Sequence, residues 1–446
     1  MKNLLKWTAV MAVAVCAGLT SCKNKSVEYV TPDECYKMVE LQKNTAVVKW
    51  NPEDYDFEEG NTFCLERFEE MVKAKASDNE NENSGVAAGG CSSWRNGQYH
   101  GRNLDWNQMD FACLVIQMPK GGKVKHASVA LLNGNTIATQ EFLKTGVIED
   151  KYKKVLPCSV VDGINDAGVA ININIVTHTP GDKFVGKEGD LSALCVVRYV
   201  LDNAGSVKEA LELLKGRKIC QSIVELVGDE THYMISDKDM TAVVEFDNGE
   251  MVVTEFNKGT DGFYSEKGTP AIMTNLYDFA IERYGIDTDE FYEHHPLSMG
   301  VERWKTIEEQ YAKAANSVMD NGVIAQSVWY FKNLIAEKTP WLSENAVPTA
   351  YGKDADGWYF MKDGERVARD NFKAAETGFW NNYMSGYWAK YAETYGKMED
   401  PHVKGNIYWE TSHSVVYDLE EKVGYLWPFE NFYSKDGEPI VIGIAD

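Results

Sequence analysis

The chain has 446 residues, of which 44% are hydrophobic and 12% aromatic. This composition suffices for one large core or two modest domains, and it is too aromatic for a disordered chain. Acidic residues outnumber basic ones by 68 to 45, which gives a formal net charge of −23. That balance argues against a nucleic-acid partner, which would favour a basic surface. The excess of carboxylates instead predicts an acidic, solubilising surface.

The first residues have the pattern of a bacterial export signal. Lys2 and Lys6 form a basic segment before an apolar run at 7–18. The run is too short to span a bilayer, because spanning takes about 20 residues. It leads into LTSC at 19–22, which resembles a lipoprotein box in which Cys22 is lipidated and becomes the new N-terminus. The alternative is an ordinary cleaved signal peptide. We expect an exported lipoprotein of the cell envelope, held at a membrane by its lipid anchor only.

The segment that follows the signal, residues 23–90, ends in a linker. Its last part, KASDNENENSGVAAGG at 75–90, holds almost no large apolar residue and cannot pack into a core. Such a stretch is typical of a flexible loop between domains, or of an exposed processing site that ends at Gly90. We expect 23–90 to be a propeptide or small chain and 91–446 to be the catalytic domain.

The cysteines are sorted by their position relative to residue 91. Cys35 and Cys64 precede it and are one candidate disulfide pair in an exported protein. No C-x-x-C and no Cys/His ligand spacing occurs in the sequence, so a zinc site is not predicted.

Secondary structure is predicted from hydrophobic periodicity and turn residues. Helices are predicted at 63–74, 191–201, 207–214, 276–284 and 301–336. Strands are predicted at 92–94, 99–103, 111–118, 128–132, 169–175, 222–227, 232–235, 242–246, 251–256, 414–417 and 423–426. Strands, then helices, then strands again are typical of a layered α+β sandwich.

An aromatic-rich insertion is predicted at 340–402. Its tryptophans, tyrosines and phenylalanines can form a satellite core, or they can line an apolar substrate groove, since ligand pockets are mostly apolar and aromatic.

A hairpin at the start of the catalytic domain brings polar groups to Cys91. If Asn96-Gly97 is a two-residue turn, Cys91 lies directly opposite Arg102, and opposed residues share a face. A nearby cation lowers the pKa of a thiol and raises its thiolate fraction. Asp105 follows the strand and can orient the cation or accept a proton. The alternative is a buried apolar cysteine beside a surface ion pair of Arg102 and Asp105.

The same stretch resembles a known family. CSSWRNGQYHGRNLDW at 91–106 is similar to the nucleophile motif of the N-terminal-nucleophile (Ntn) linear amide hydrolases. This group holds choloylglycine (bile salt) hydrolases, penicillin V acylases, acid ceramidase and N-acylethanolamine acid amidase. Four further motifs resemble the family in the same order along the chain: THYMISDKDMTAVVEF at 231–246, MTNLYD at 273–278, ERW at 302–304 and HSVVYDLEEKVGYL at 413–426.

The resemblance implies a role for five residues. Cys91 matches the nucleophile, and Arg102 and Asp105 match the pair that flanks it. Asn275 matches the amide of the oxyanion hole, and Arg303 matches an arginine that supports the site.

One further polar residue of the family site follows a glycine, here Gly168. Asn172 and Asn174 are the nearest candidates for this oxyanion or substrate contact. Position 175, another position that could match this residue, is an isoleucine. The register of this strand therefore leaves the assignment open.

The resemblance also implies a fold and a mechanism. The fold would be the four-layer αββα sandwich of Ntn hydrolases. Cleavage between Gly90 and Cys91 would free an α-amino group with a pKa of about 7.7–8.0, close to that of a good general base. The thiolate would attack a linear amide and form a thioester, with no cofactor and no metal. The substrate would be a small N-acyl compound, and the aromatic content favours an apolar acyl group.

The subfamily is left open by the sequence. The long segment before Cys91 resembles the acid ceramidase and N-acylethanolamine amidase branch, whose two mature chains stay associated. By that resemblance, 23–90 and 91–446 would stay together after cleavage. A CSS start is instead seen in penicillin acylases.

Two rival functions are weighed beside the amide hydrolase. The first is a non-catalytic lipoprotein that binds an apolar ligand on the same fold. The second is a Cys–His protease that uses Cys91 with His100 or His413.

Overall fold

The structure is a computed structural model. It describes residues 45–66, 91–106, 112–134, 147–176, 189–220, 230–247, 250–260, 262–275, 303–304, 307–308, 321, 350–354, 357–362, 365–367, 410–428 and 439–445. Cys22, Cys35, the 75–90 linker, the strand predicted at 222–227 and the helix predicted at 276–284 lie outside these residues.

Twenty strands are found in the described ranges. They are β1 Thr45–Lys49, β2 Ser92–Asn96, β3 Tyr99–Trp106, β4 Ala112–Met118, β5 Ser128–Gly134, β6 Asp162–Asn165, β7 Ala170–Val176, β8 Leu191–Ser192, β9 Ile219–Cys220, β10 Glu230–Ser236, β11 Met240–Asp247, β12 Glu250–Lys258, β13 Phe263–Tyr264, β14 Ile272–Met273, β15 Ala350–Asp354, β16 Gly357–Lys362, β17 Glu365–Val367, β18 Glu410–Asp418, β19 Val423–Pro428 and β20 Ile440–Gly443.

The helices include α1 at 57–66, α2 Asp150–Lys153, α3 Val196–Asn203 and α4 Val207–Lys215. The Ser206 side chain caps α4 by accepting a hydrogen bond from the Glu209 backbone N–H, as its residue type favours. The helix predicted at 191–201 is shorter than expected, because 191–192 pair with β9 and only 196 onward is α-helical. Residues 303–304, 307–308 and 321, within the predicted 301–336, are helical.

Two sheets form the centre of the molecule. The larger has nine strands in the order β1-β4-β5-β6-β7-β10-β11-β12-β13, and the smaller has six in the order β14-β2-β3-β18-β19-β20. In β7, the alternation of VAININI is confirmed: Ile171 and Ile173 join the core under the helices, and Asn172 and Asn174 point to the opposite face.

The sheets and helices make four layers. Helices α3 and α4 pack on one face of the nine-stranded sheet in the largest apolar core. The other face of that sheet packs on the six-stranded sheet, for example through Val129 and Val415. The helical residues Trp304 and Ile307 pack with Trp94 of β2 and cover the outer face of the six-stranded sheet. The predicted four-layer αββα sandwich is confirmed.

The register of the first hairpin differs from the prediction. Ser93, not Cys91, lies opposite Arg102, and the two-residue turn is Gly97-Gln98. Gly97 has φ of 56°, and Lys422 is the one non-glycine residue with positive φ in the described part of the chain. A glycine at the first turn position with ordinary φ at the second is the type II′ pattern, which fits the twist of the strands. The predicted cross-strand pairing of Cys91 with Arg102 is therefore wrong.

Within 340–402, the strands β15, β16 and β17 form a separate three-stranded antiparallel sheet. The side chains of this insertion, and so the alternatives of a satellite core or a substrate groove, lie outside the described residues. Across the ranges that are described, none of the helices combines the length and apolar character needed to traverse a bilayer.

Candidate active site

A layer of buried polar side chains fills part of the space between the two sheets. Ser93, on β2 of the smaller sheet, accepts hydrogen bonds at its hydroxyl from Asn172 Nδ2 at 2.8 Å and Asn174 Nδ2 at 3.3 Å. Both asparagines stand on β7 of the larger sheet and are buried. Polar contacts across the gap replace apolar packing there. The hydrogen bonds offset the free-energy cost of burying these polar groups.

Cys91 lies at the edge of this layer. It immediately precedes β2 and is only 1% exposed. Strand β14 runs beside β2, with Met273 opposite Ser93. Continuing that antiparallel register by two residues brings Asn275 alongside Cys91.

Arg303 joins these two residues. Its Nη1 donates to the Cys91 carbonyl oxygen and to Ser92 Oγ at 3.3 Å, and its Nη2 donates to Asn275 Oδ1 at 2.6 Å. The Asn275 side-chain nitrogen donates to the Ile175 carbonyl. The structure thus brings Cys91, Asn275 and Arg303 together from three separate segments of the chain. We name these three residues the Arg303 cluster.

The two candidate asparagines on β7 differ in their contacts to the segment that carries Asn275. Asn174 Nδ2 lies 3.3 Å from the Thr274 carbonyl and 3.4 Å from the Met273 carbonyl, so it adjoins the segment that carries Asn275. Asn172 donates to Asn174 Oδ1 at 2.9 Å and lies one step farther away. Ile175 takes part through its backbone carbonyl.

Arg102 has other partners than the sequence predicted. It makes a fully buried ion pair with Asp162 of β6, and its Nη2 donates to the Ile173 carbonyl at 2.8 Å. His413 Nε2 lies 2.8 Å from Asp162 Oδ2, and Tyr417 donates its hydroxyl proton to Asp162 Oδ1 at 2.6 Å. We name Arg102, Asp162, His413 and Tyr417 the Arg102 cluster.

The ionisation states in this cluster follow from burial and charge. Burial opposes the charge on Asp162, but His413, Arg102 and the hydrogen bonds outweigh it and hold the pKa of that carboxyl at about 2. Burial lowers the pKa of His413 and raises the pKa of the Tyr417 hydroxyl. Asp162 is therefore a carboxylate at neutral pH, with Tyr417 and the neutral His413 as hydrogen-bond donors.

Asp105 lies at the end of β3, where its backbone is paired with Thr411 of β18. Its side chain lies outside the described residues, so its predicted role beside Cys91 stays a prediction.

The histidines of the rival protease mechanism are engaged elsewhere. His100 contacts Ser236 Oγ through Nδ1 at 2.8 Å and Asn172 Oδ1 through Nε2 at 2.9 Å. Burial lowers its pKa to about 3. Both ring nitrogens of His100 and the Nε2 of His413 are thus engaged with partners other than Cys91.

Three other thiols cluster on the far side of the larger sheet. Cys64 of α1 and Cys158 both contact Cys195, and their hydrogen bonds together with burial hold the pKa of the Cys195 thiol well above its usual value. Cys64 Sγ also lies 3.8 Å from Ser159 Oγ. Since Cys35 lies outside the described residues, the Cys35–Cys64 disulfide stays a prediction.

Sequence reasoning missed several buried polar residues of the layer, namely Ser93, Asp162, His232 and Glu245. Asp162 did carry a signal: it stands between Val160-Val161 and Ile164, and a carboxylate in such an apolar stretch needs a buried partner. No comparable signal marks Ser93, whose role depends on the hairpin register.

Comparison with known proteins agrees with the motifs. Residues 92–269 match the family model of the linear amide C-N hydrolases, choloylglycine hydrolase family. A penicillin V acylase of Pectobacterium atrosepticum is 29% identical over 102 residues, which are 21% of this chain and 27% of that protein. The matched segment thus spans about a quarter of that relative's length.

Similar solved structures include two enzymes. A penicillin V acylase from Agrobacterium tumefaciens has 14% identity, 76% coverage of this chain, 75% of its own and a TM-score of 0.33. A conjugated bile acid hydrolase from Clostridium perfringens has 13% identity, 80% and 92% coverage, and a TM-score of 0.38. The family match over residues 92–269 confirms the resemblance to the choloylglycine hydrolase family that the motifs gave.

Proposed function

We propose that this chain hydrolyses linear amide bonds of small N-acyl compounds, with Cys91 as nucleophile after cleavage between Gly90 and Cys91. The observation that carries the proposal is the Arg303 cluster. One buried guanidinium holds both the backbone of Cys91 and the side chain of Asn275. These are the residues to which the family resemblance assigns the nucleophile and the oxyanion amide.

The reaction needs one base, one nucleophile and one oxyanion donor. The freed α-amino group of Cys91 takes the thiol proton, and the sulfur attacks the amide carbonyl. Asn275 donates one amide hydrogen to Ile175, and its second N–H is left to donate to the developing oxyanion. The proton passes to the departing amine as the C–N bond breaks. Water then hydrolyses the thioester and releases the acid.

The same chemistry would free the nucleophile. In the precursor, the Cys91 thiol attacks the Gly90 carbonyl, and the acyl group moves from nitrogen to sulfur. Water cleaves the resulting thioester and leaves Cys91 with a free amine. The glycines at 89–90 favour this step, since they allow close approach of the backbone.

We also propose that the small chain stays bound after cleavage. Strand β1, which precedes the cleavage point, pairs in parallel with β4 at the edge of the nine-stranded sheet. Tyr55 donates to Asp202 at 2.8 Å, and Asn61 bonds the backbone at Asp190 and Ser192. The two fragments are expected to co-elute in size-exclusion chromatography and to separate only in denaturant. Separation in native buffer would contradict this proposal.

The proposed substrate class is an amide with an apolar acyl group. It is supported by the family match and by the aromatic insertion at 340–402. A panel of conjugated bile salts, acylethanolamides and penicillin V would assign the acyl group, and the expected result is a preference for apolar acyl chains. Faster release of short polar acyl groups would contradict this part.

We further propose that the protein is exported and lipidated at Cys22. The support is the basic, apolar and LTSC pattern of residues 2–22. A Cys22→Ser variant is expected to lose incorporation of labelled fatty acid and to leave the membrane fraction. Unchanged lipid labelling would contradict the assignment.

The hydrolase proposal is tested by a pair of cysteine variants. Cys91→Ala is expected to stay full length and to lose amide hydrolysis, because both steps use the same sulfur. Cys113→Ala is the matched control, since Cys113 is another buried thiol on a strand of the sandwich. The control should be cleaved and active. Normal hydrolysis by Cys91→Ala would refute the proposal, and an uncut wild-type protein that only binds apolar ligands would favour the binding lipoprotein.

A further inference from the structure

We propose that His232, held by Glu245, is a positioning residue that fixes the Thr274–Asn275 peptide beside Cys91. This inference rests on the proposed function, because the peptide matters through the oxyanion amide of Asn275. His232 and Glu245 stand on the neighbouring strands β10 and β11 of the larger sheet, and both side chains are fully buried.

The segment that carries Asn275 begins where the ladder between β14 and β2 ends. Strand β14 pairs with β2 only at Ile272 and Met273, and Thr274 and Asn275 follow the end of that ladder. Its backbone is instead held from the facing sheet. His232 Nε2 lies 2.8 Å from the Thr274 carbonyl oxygen, and Asn174 Nδ2 lies 3.3 Å from the same atom.

These two donors converge because of the sheet register. Asn174 of β7 is the direct cross-strand partner of His232, so both side chains leave the same face of the larger sheet. A peptide bond is planar and trans, so fixing the Thr274 carbonyl also fixes the direction of the Asn275 N–H. The position of the Asn275 side chain relative to Arg303 and Cys91 follows from that backbone.

Glu245 sets the orientation of the ring. Its Oε1 lies 3.1 Å from His232 Nδ1. The Thr274 carbonyl can only accept, so Nε2 must carry a proton in this contact. The contact between Nδ1 and the carboxyl oxygen keeps the imidazole pointing at Thr274. A histidine whose second nitrogen is bonded in this way has a fixed ring orientation.

The test compares replacements on two faces of β10. His232→Phe removes the donor, and His232→Gln keeps an N–H that can reach the carbonyl. Tyr233→Phe is the matched control, because it removes a buried hydroxyl that donates to the Ala193 carbonyl on the helix side of the same strand. Each protein is characterised by thermal stability, by the mass of the fragment that begins at Cys91, and by kcat and KM per cleaved enzyme.

The expected result is a fall in kcat of about tenfold to a hundredfold for His232→Phe with little change in KM, the size typical of a misplaced reacting group. His232→Gln should recover part of kcat, and Tyr233→Phe should lower stability without lowering kcat. Glu245→Gln, which can still donate to Nδ1, should be milder than Glu245→Leu. Wild-type kcat in a folded His232→Phe protein, or equal losses in both Glu245 variants, would overturn the inference.

A crystal structure of His232→Gln or His232→Phe gives a readout independent of turnover. The inference predicts that the Phe variant turns the Thr274 carbonyl away and breaks the Asn275–Arg303 contact. An unmoved peptide in that variant would refute it. Loss of hydrolysis in Cys91→Ala, measured in the same assay, separates a failure of this inference from a failure of the proposed function.

Discussion

Two buried arginines lie against the six-stranded sheet, and their surroundings differ. Arg102 is bonded to a carboxylate, Asp162, inside a cluster of fully buried side chains. Arg303 is bonded to a backbone carbonyl of Cys91, a hydroxyl of Ser92 and an amide oxygen of Asn275. The first set of contacts neutralises a charge, and the second connects groups that the proposed reaction uses.

An arginine that matches a family site can therefore stabilise the fold or position the reacting groups. A buried ion pair contributes little net stability, but loss of one partner leaves an uncompensated charge. A guanidinium that bridges two neutral groups instead sets their relative position. We therefore expect substitutions in the Arg102 cluster to appear mainly in stability, and substitutions of Arg303 mainly in rate.

The largest effect is expected from breaking the Arg102–Asp162 pair. Asp162→Leu should lower the free energy of unfolding by about 3–5 kcal/mol, because Arg102 would stay buried without its carboxylate. The double variant with Arg102→Leu should recover part of this loss. Urea unfolding of wild type, the two single variants and the double variant measures these changes in the free energy of unfolding. A stable single variant that has lost hydrolysis would show instead that the cluster serves the reaction directly.

Substitution of Arg303 should lower the rate more than the stability. Arg303→Lys keeps the charge but cannot bridge Cys91 and Asn275 with a fork, so kcat/KM should fall by about a hundredfold with a smaller change in stability. Arg217→Lys is the matched control, since Arg217 lies over the ring of Tyr199 on the helix layer. Equal losses of kcat/KM in Arg303→Lys and Arg217→Lys would contradict the proposed difference between the two clusters.

Ser93 tests the polar contacts between the two clusters. Ser93→Ala removes the acceptor of Asn172 and Asn174 and should cost about 1–3 kcal/mol of stability, the penalty of unsatisfied buried donors. Ser92→Ala is a control on the same strand, and its hydroxyl contacts Arg303 instead. We expect Ser92→Ala to change turnover more than Ser93→Ala does. The reverse order in kcat would contradict the separation of the two clusters.

The last expected effect is a pH dependence of stability due to His100. Its pKa is lowered by burial to about 3, so the unfolded chain binds a proton below pH 6.5 that the folded chain does not bind. Stability should be unaffected by His100 above pH 6.5 and should fall as the pH is lowered toward 3, with a slope of about 1.4 kcal/mol per pH unit. Urea midpoints of wild type and His100→Gln between pH 7 and 4.5 measure it. The same slope in both proteins would show that His100 is protonated in the fold.

Much of the architecture was predictable from sequence patterns. The alternation in β7 and the capping serine of α4 are local signals, and the structure confirms both. The family motifs pointed to Cys91, Asn275 and Arg303 together, although Arg303 lies 212 residues from Cys91 along the chain.

The wrong hairpin register had a local cause. Asn96-Gly97 is a favoured turn sequence, but glycine can also occupy the first turn position, and the choice shifts the ladder by two residues. A shift by two keeps each side chain on its face, so Arg102 still points between the sheets and only its partner changes. That partner, Asp162, comes from another strand of the facing sheet, and no local pattern encodes such a contact.

The central claim is that the Cys91 sulfur carries the acyl group once its own amine is free. It is tested most directly by mixing purified protein with an amide substrate, quenching in acid and mapping the adduct by mass spectrometry. The account predicts an acyl mass on the N-terminal peptide of the fragment that begins at Cys91. An acyl group on another residue, or turnover by protein in which Gly90 is still joined to Cys91, would contradict it.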